Sequence, residues 1–329
     1  YDTRNFATQV GNFSLMDNNA NDVGIETEVN GQRRILFGAV PVFPDAWSRA
    51  YLGFVDVLTV TDSAPVAVWA AEEEEVPPVN RQVWRVPISS TEYYLLENRQ
   101  FDLDNNEESG LKLDSATSVV LGPAHPISRQ FTREYDFLLP GSGMLIWHVD
   151  EGVAALDYAT GDDIPNNFLA NTLQWDHDRR FLRIVEADGY NRLGSTGFYF
   201  FYTGGPTTYW QAGTNTVFTP TSVPPSRSYT GGHSGVSITD ISIPQSLMTC
   251  RVSRGGRLRG FPVYVGADDG NRAAPIVTDV LRSESGDYRA PGDGRPEVFV
   301  GYKHYILGFD NEGKPLTNHP VADTLRSFD

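Results

Sequence analysis

The sequence predicts a mainly β chain of two or three domains, and three observations predict it. The 31 Gly and 21 Pro among 329 residues call for many turns. From Val55 onward, β-branched and aromatic runs alternate with Gly, Pro, Asn and Asp clusters. Near Gly255 the pattern changes again, to short strands in a partly repeated unit.

Taken in order, residues 1–43 carry little periodicity and many Asn, Gly and Asp, and read as long loops pinned by isolated apolar residues. FPDAWSRAYLGF (43–54) predicts a short helix. Pro44 and Asp45 suit its first turn, Trp47, Ala50 and Tyr51 share a face, and Gly53 can end it. Seven strand-like runs follow: VDVLTVT (55–61), VAVWAA (66–71), QVWRVPI (82–88), EYYLLENR (92–99), GMLIWHVD (143–150), RFLRIVEAD (180–188) and GVSITDISI (235–243). Several are apolar on both faces, as in a sheet covered on both sides, which suggests a β-sandwich-like domain. The polar insertions 101–133 and 152–179 then fall at its ends. Beyond Gly255, GFPVYVG (260–266), APIVTDV (274–280), PEVFVG (296–301) and YILGFD (305–310) give four short strands. LTNHPV (316–321) partly echoes RGFPVY (259–264), and a repeated four-stranded unit belongs to β-propellers, here as one blade and the start of the next. The resulting division is 1–53, 54–255 and 256–329.

Charge and motifs narrow the chemistry. With 26 Lys+Arg against 42 Asp+Glu, the net charge of −16 repels phosphate backbones and anionic lipid, so nucleic acid is not an expected partner. No run nears the ~18 apolar residues that span a bilayer. Cys250 is the single cysteine, and this composition suits a secreted, extracellular bacterial protein. Acidic clusters at 72–75, 102–109, 160–163, 266–270 and 292–297 read as solvated loops or as calcium loops. The six histidines include no HExxH, there is no CxxC, and GGHSGVS (231–237) misses G-x-S-x-G, so it reads as a Gly-rich turn before a strand. Glu97, Asp150, Glu151, Glu186 and Asp188 lie near strand ends, either as hydrogen-bonded turn residues or as carboxylates converging on a cation or acting as an acid and base pair. His148 reads as a structural histidine bonded to a neighbouring strand. In FYFFYTGGPTTYW (198–210) the aromatics are core, a covered hairpin or a sugar-stacking surface, with Tyr209 and Trp210 as the candidate binding pair.

YDT (1–3), VGNFSLMD (10–17), AWSRAYLGF (46–54), EYYLLENRQ (92–100), LPGSGMLIWHVDE (139–151), VEADG (185–189) and SGVSITDIS (234–242), in that order, resemble the immune inhibitor A-like family of secreted bacterial zinc metallopeptidases. The resemblance covers roughly residues 1–255, and the remainder resembles VCBS or FG-GAP-type propeller repeats. It implies that residues 1–53 are the rear of a zincin-like catalytic domain, with the last ligand of an HExxHxxGxxD segment just before Tyr1. It also implies that Met16 belongs to a methionine turn forming the floor beneath zinc. The parent would hydrolyse peptide bonds of protein substrates, zinc polarising the scissile carbonyl and activating water. This chain would hold no catalytic residue and no zinc ligand, and alone would be inactive. The alternative is an extracellular β-sandwich and propeller module that binds a surface glycan or a protein without catalysis. In the propeller-like segment the usual Asp-x-Asp-x-Asp-Gly spacing is stretched by 280–291, which leaves Asp279, Asp287, Asp293 and Glu297 as candidate calcium ligands.

Overall fold

The computed structural model describes residues 8–17, 24–29, 32–37, 41–73, 83–106, 108–117, 119–159, 163–195, 199, 202–229, 234–254, 276–278, 297–302, 305–310 and 315–316. The chain is mainly β, in several small sheets with no closed barrel among the described residues. It divides into two compact units, Tyr1–Arg254 and Gly255–Asp329.

The first unit contains β1 (Gly24–Val29), β2 (Gln32–Phe37), α1 (Ala46–Tyr51), β3 (Val57–Thr59), β4 (Ala64–Trp69), β5 (Val83–Pro87), β6 (Glu92–Arg99), β7 (Leu111–Leu113), β8 (Val120–Pro123), β9 (Gly143–Asp150), α2 (Asn167–Ala170), β10 (Leu182–Ile184), β11 (Val236–Thr239) and β12 (Leu247–Arg254). Its centre is a five-stranded sheet in the order β10-β9-β6-β5-β3, antiparallel except where β3 runs parallel to β5. β6 and β9 pair along their whole length, from Glu92 opposite Asp150 to Arg99 opposite Gly143.

Every residue of β6 and β9 is buried, because the sheet is covered on both faces. Successive side chains of a strand point to opposite faces, so the two cores use alternate residues. Tyr93, Leu95, Leu145, Trp147 and Val149 share one core with Val10, Phe13, Val42 and Ala46. Tyr94, Leu96, Met144 and Ile146 share the other with a three-stranded sheet, order β11-β12-β4, through Val66, Val68, Val236, Ile238, Met248, Cys250 and Val252. Full burial of one such apolar side chain contributes about 1.5–3 kcal/mol, so these two strands anchor the unit.

Each of the seven expected runs overlaps a strand, and 92–99 and 143–150 are strands over their full predicted length. Several elements, the short helix α2 among them, were not anticipated. β12 alternates cleanly, with Met248, Cys250 and Val252 inward and Thr249 and Arg251 exposed. β7 and β8 form a small hairpin within the polar insertion. The region expected to be loops holds the hairpin β1–β2, whose register of Val29 opposite Gln32 leaves only Asn30-Gly31 between the strands. Asn-Gly is a strong local signal for a two-residue hairpin turn.

The expected helix forms as α1. Asp45 caps it, Oδ1 accepting from Ser48 N at 2.8 Å. At the other end Gly53 takes φ +75°, with Gly53 N donating to Ala50 O at 3.1 Å and Phe54 N to Arg49 O at 2.9 Å. That pair of bonds is a Schellman closure. No break in packing falls at residue 53. Val10, Phe13, Val42 and Ala46 lie in the same core as β6 and β9, so the buried apolar residues described before residue 53 pack with the central sheet.

The second unit holds β13 (Ile276–Thr278), β14 (Glu297–Tyr302) and β15 (Tyr305–Phe309), an antiparallel three-stranded sheet in sequence order. The expected strand 260–266 and the echo within 317–321 lie outside the described residues.

Candidate functional site

The stretch GNFSLMD is a tight turn framed by hydrogen bonds to one carboxylate. Asp17 Oδ2 accepts from Thr8 Oγ1 at 3.0 Å, Gln9 N at 2.7 Å and Val10 N at 2.6 Å. Thr8 Oγ1 in turn accepts from Gly11 N at 2.8 Å. Ser14 Oγ accepts from Met16 N at 3.1 Å and donates to Asp45 Oδ2 at 2.8 Å, which ties the turn to the α1 cap. Gly11 takes φ +63°, and a Cβ there would lie 2.1 Å from Thr203 O, so only glycine fits. Thr8, Gln9, Val10, Phe13, Ser14 and Asp17 are buried, while Leu15 and Met16 are 38% and 47% exposed. The frame thus holds two apolar side chains outward on a fixed backbone.

Beneath the turn lies a closed ionic network. Arg99 on β6 is fully buried and pairs through Nε and Nη2 with Asp136, while Nη1 donates to Phe13 O at 3.0 Å. Glu97 pairs with Arg49 of α1, lies 3.7 Å from Arg99 Nη1, and accepts from Trp147 Nε1 at 2.8 Å. Burial alone would lower the Arg99 pKa, but Asp136 and Glu97 hold it above its ordinary value. Glu72 closes the network, Oε1 accepting from Asp136 N. Burial, reinforced by the nearby Asp136 charge, pushes the Glu72 carboxyl up to about 10, so it is neutral at pH 7. Two arginines, two carboxylates and one neutral acid leave the cluster balanced, which is the condition for burying charge.

The strand-end carboxylates do not converge on a common point. Glu97 belongs to the network above. Asp150 pairs with Arg179 at 2.7 Å and accepts from Gly152 N at 2.9 Å. Glu151 accepts from Tyr93 Oη at 2.8 Å. Glu186 accepts from Leu193 N at 2.8 Å and pairs with Arg192, which also pairs with Asp188. His148 Nε2 lies 2.8 Å from Glu92 Oε1 on the neighbouring strand, stacked on Tyr229 at 4.2 Å. Burial lowers its pKa to about 4, so the ring is neutral at pH 7. Ser234 Oγ donates to Ser226 O at 2.9 Å, and β11 follows at Val236.

Tyr209 and Trp210 are corrected from a candidate binding surface to core. Both are 0% exposed. Trp210 bridges to Met144 and donates Nε1–H to Val185 O at 2.8 Å, and Tyr209 packs edge-on to Phe13 at 5.5 Å. The segment crosses the end of β9 where Gly143 opens the space, since a Cβ there would lie 2.8 Å from Tyr209 Cβ. Of the candidate calcium ligands, Asp279, Asp287 and Asp293 lie outside the described residues, and Glu297 is 1% exposed at the start of β14.

Among the described residues, Asp102, Asp104 and Glu134 bring carboxylate oxygens within 4.8 Å of one another. Burial and then the Asp104 and Asp102 charges raise the Glu134 pKa. An all-oxygen set suits a hard cation rather than zinc, but hydrogen bonds within the loop, Asp104 and Asp102 to Asn106 N and Glu134 to Leu103 N, already use these oxygens. The acidic loop 102–109 was visible in the sequence; Glu134 was not, because it arrives from another loop. Comparison with family models, with curated proteins and with solved structures finds no match for this chain.

Proposed function

We propose that residues 1–254 are the supporting, non-catalytic part of a secreted zinc metallopeptidase of the immune inhibitor A-like type. The observation that carries this reading is the GNFSLMD frame, which holds Met16 outward on a backbone fixed by Asp17 and Ser14. A methionine kept 47% exposed on so ordered a turn suits a floor on which another group rests. The collinear motifs from VGNFSLMD to SGVSITDIS support the same reading.

The residues present do not fit zinc. The sequence has no HExxH, and the one carboxylate cluster with ligand spacing among the described residues is all oxygen. The chain's own contribution is therefore positional. Arg99 fastens the turn to the central sheet through Phe13 O, and Asp45 fastens it to α1. The competing reading, a glycan- or protein-binding module, loses its best support with the burial of Tyr209 and Trp210.

Two measurements test the proposal. The coding DNA directly upstream of Tyr1 is expected to carry HExxHxxGxxD; a segment without the two histidines or the glutamate overturns the reading. Purified 1–329 is expected not to cleave casein with or without added zinc. Zinc-dependent cleavage by this chain would contradict the assignment of all catalytic residues to a preceding segment.

A further inference from the structure

A cavity of about 270 Å³ opens beside the C-terminal end of α1. Trp47, Tyr51, Arg85, Tyr93 and Glu151 line it. Its two charged groups are not spent on each other. Arg85 lies over the Tyr93 ring, its guanidinium carbon 3.8 Å from the centroid, and makes no hydrogen bond or ion pair with any described residue. Its Nε is buried without a partner. An arginine left without an acceptor in a half-buried position costs free energy unless something supplies one. Glu151 uses only Oε1, toward Tyr93 Oη at 2.8 Å and Trp47 Nε1 at 3.5 Å, which leaves Oε2 open.

The wall is aromatic and fixed. Trp47 stacks on Tyr51 at 4.9 Å and 15°, and is braced from behind by Phe181 at 4.7 Å. Tyr51 remains 66% exposed. The Schellman closure at Gly53 then carries the chain outward with Leu52 and Phe54 exposed at 53% and 72%. In such closures the residue after Gly usually packs back on the last turn. Here its counterpart on that turn is Arg49, buried against Glu97, and Phe54 stays exposed.

We propose that this cavity binds the C-terminal residue of a peptide. The free carboxylate pairs with Arg85, the terminal N–H donates to Glu151 Oε2, and an apolar terminal side chain lies on Tyr51. The volume matches one residue rather than a larger ligand. A planar guanidinium held against an aromatic ring is preorganised for bidentate recognition of a carboxylate. An acceptor beside it suits an amide N–H, which a sugar carboxylate or a simple fatty acid lacks. Leu52 and Phe54, next to Tyr51 in the chain, add exposed apolar surface. A single carboxylate also meets less repulsion from a chain of net charge −16 than a multiply charged acidic segment would. The inference stands on the cavity alone and does not depend on the peptidase reading.

The test titrates the full 1–329 chain with three probes, followed by amide chemical shifts: N-acetyl-Ala-Phe with a free carboxylate, its C-terminal amide, and N-acetyl-Asp-Phe-amide. Saturable binding of the free acid is expected, with the amide and the Asp-bearing amide each at least about tenfold weaker. Arg85→Gln should reduce acid binding by a similar factor while leaving the weak amide binding unchanged. Tyr51→Ala, at an exposed position, should weaken all three probes without altering the melting temperature. Equal affinity for acid and amide, unchanged acid binding in folded Arg85→Gln, or no saturation by about 10 mM overturns the proposal. Preferential binding of the Asp-bearing amide overturns the terminal assignment and points to an internal acidic side chain.

Discussion

Arg99 and Arg85 stand on neighbouring strands of one sheet, and their surroundings are opposite. Arg99 is fully enclosed and satisfied by Asp136, by the Phe13 carbonyl and by the nearby Glu97. Arg85 is half-buried and pairs with nothing among the described residues. The difference separates two uses of a charge in a β-rich fold. A closed network fixes one arrangement of several segments, whereas an open arginine beside a cavity stores an unmet interaction that a ligand can complete. The largest expected effect breaks the first of these. Arg99→Met leaves Asp136 buried without its cationic partner, while Glu97 keeps Arg49, at a cost of about 3–5 kcal/mol. Arg85→Gln should stay within about 1 kcal/mol of the parent chain, as both urea midpoints would show.

Next in size is Asp17→Ala, which removes the acceptor of three buried hydrogen bonds, from Thr8 Oγ1, Gln9 N and Val10 N. A loss of about 2–3 kcal/mol is expected, since hydrogen bonds to a charged acceptor are the stronger kind and two backbone donors are left unmet. Hydrogen exchange should quicken at Gln9 and Val10 ahead of β6 and β9. Unchanged exchange there would mean that the turn is held by Ser14 and Asp45 alone.

The same contrast explains what the sequence could and could not disclose. β6 and β9 were legible over their full length because burial on both faces makes an unbroken apolar and aromatic run. β12 was overlooked although it alternates, because Thr249, Arg251 and Ser253 dilute its apolar content. The β1–β2 hairpin was hidden by polar strands, with only Asn30-Gly31 to mark it. Glu97 was recognised as a strand-end carboxylate, but its partners Arg49, Arg99 and Trp147 come from three elements, and no linear spacing encodes that meeting. The Arg85 cavity was not legible at all. Its lining comes from α1, β3, β5, β6 and the residue after β9. Tyr209 and Trp210 failed in the opposite way, since aromatic richness reads alike for a core and for a sugar-binding face.

An effect of a different kind, set by pH and with a definite sign, concerns Glu72. Its folded pKa of about 10 lies above the ordinary 4.5, so the folded chain holds a proton that the unfolded chain releases between those values. Its contribution is therefore fully present at low pH and is lost as pH rises toward 10, at no more than about 1.4 kcal/mol per pH unit. Glu72→Gln keeps an acceptor for Asp136 N and cannot ionise. The variant should match the parent near pH 5 and exceed it increasingly toward pH 9. His148 acts with the opposite sign: its folded pKa of about 4 is depressed, so its contribution is complete above the unfolded value near 6.5 and is lost as pH falls toward 4. Parallel curves for parent and Glu72→Gln above pH 6 would show Glu72 already ionised and its carboxylate matched by Arg99.

The smallest effect is the most informative about the Met16 turn. Met16→Ser should cost about 1 kcal/mol, because a side chain 47% exposed gives up about half of the ~1.5–3 kcal/mol that full burial of a methionine contributes. Asp17, one residue on, is buried and carries the frame, so its loss is expected to cost about twice as much or more. That asymmetry has a direct meaning. A residue whose removal leaves this unit intact, yet which is displayed by backbone hydrogen bonds to Asp17 and Ser14, is held in place for something other than the unit's own core. If instead Met16→Ser costs about 2 kcal/mol or more in a urea titration, Met16 is a core residue of this chain, and the floor role loses the observation on which it rests.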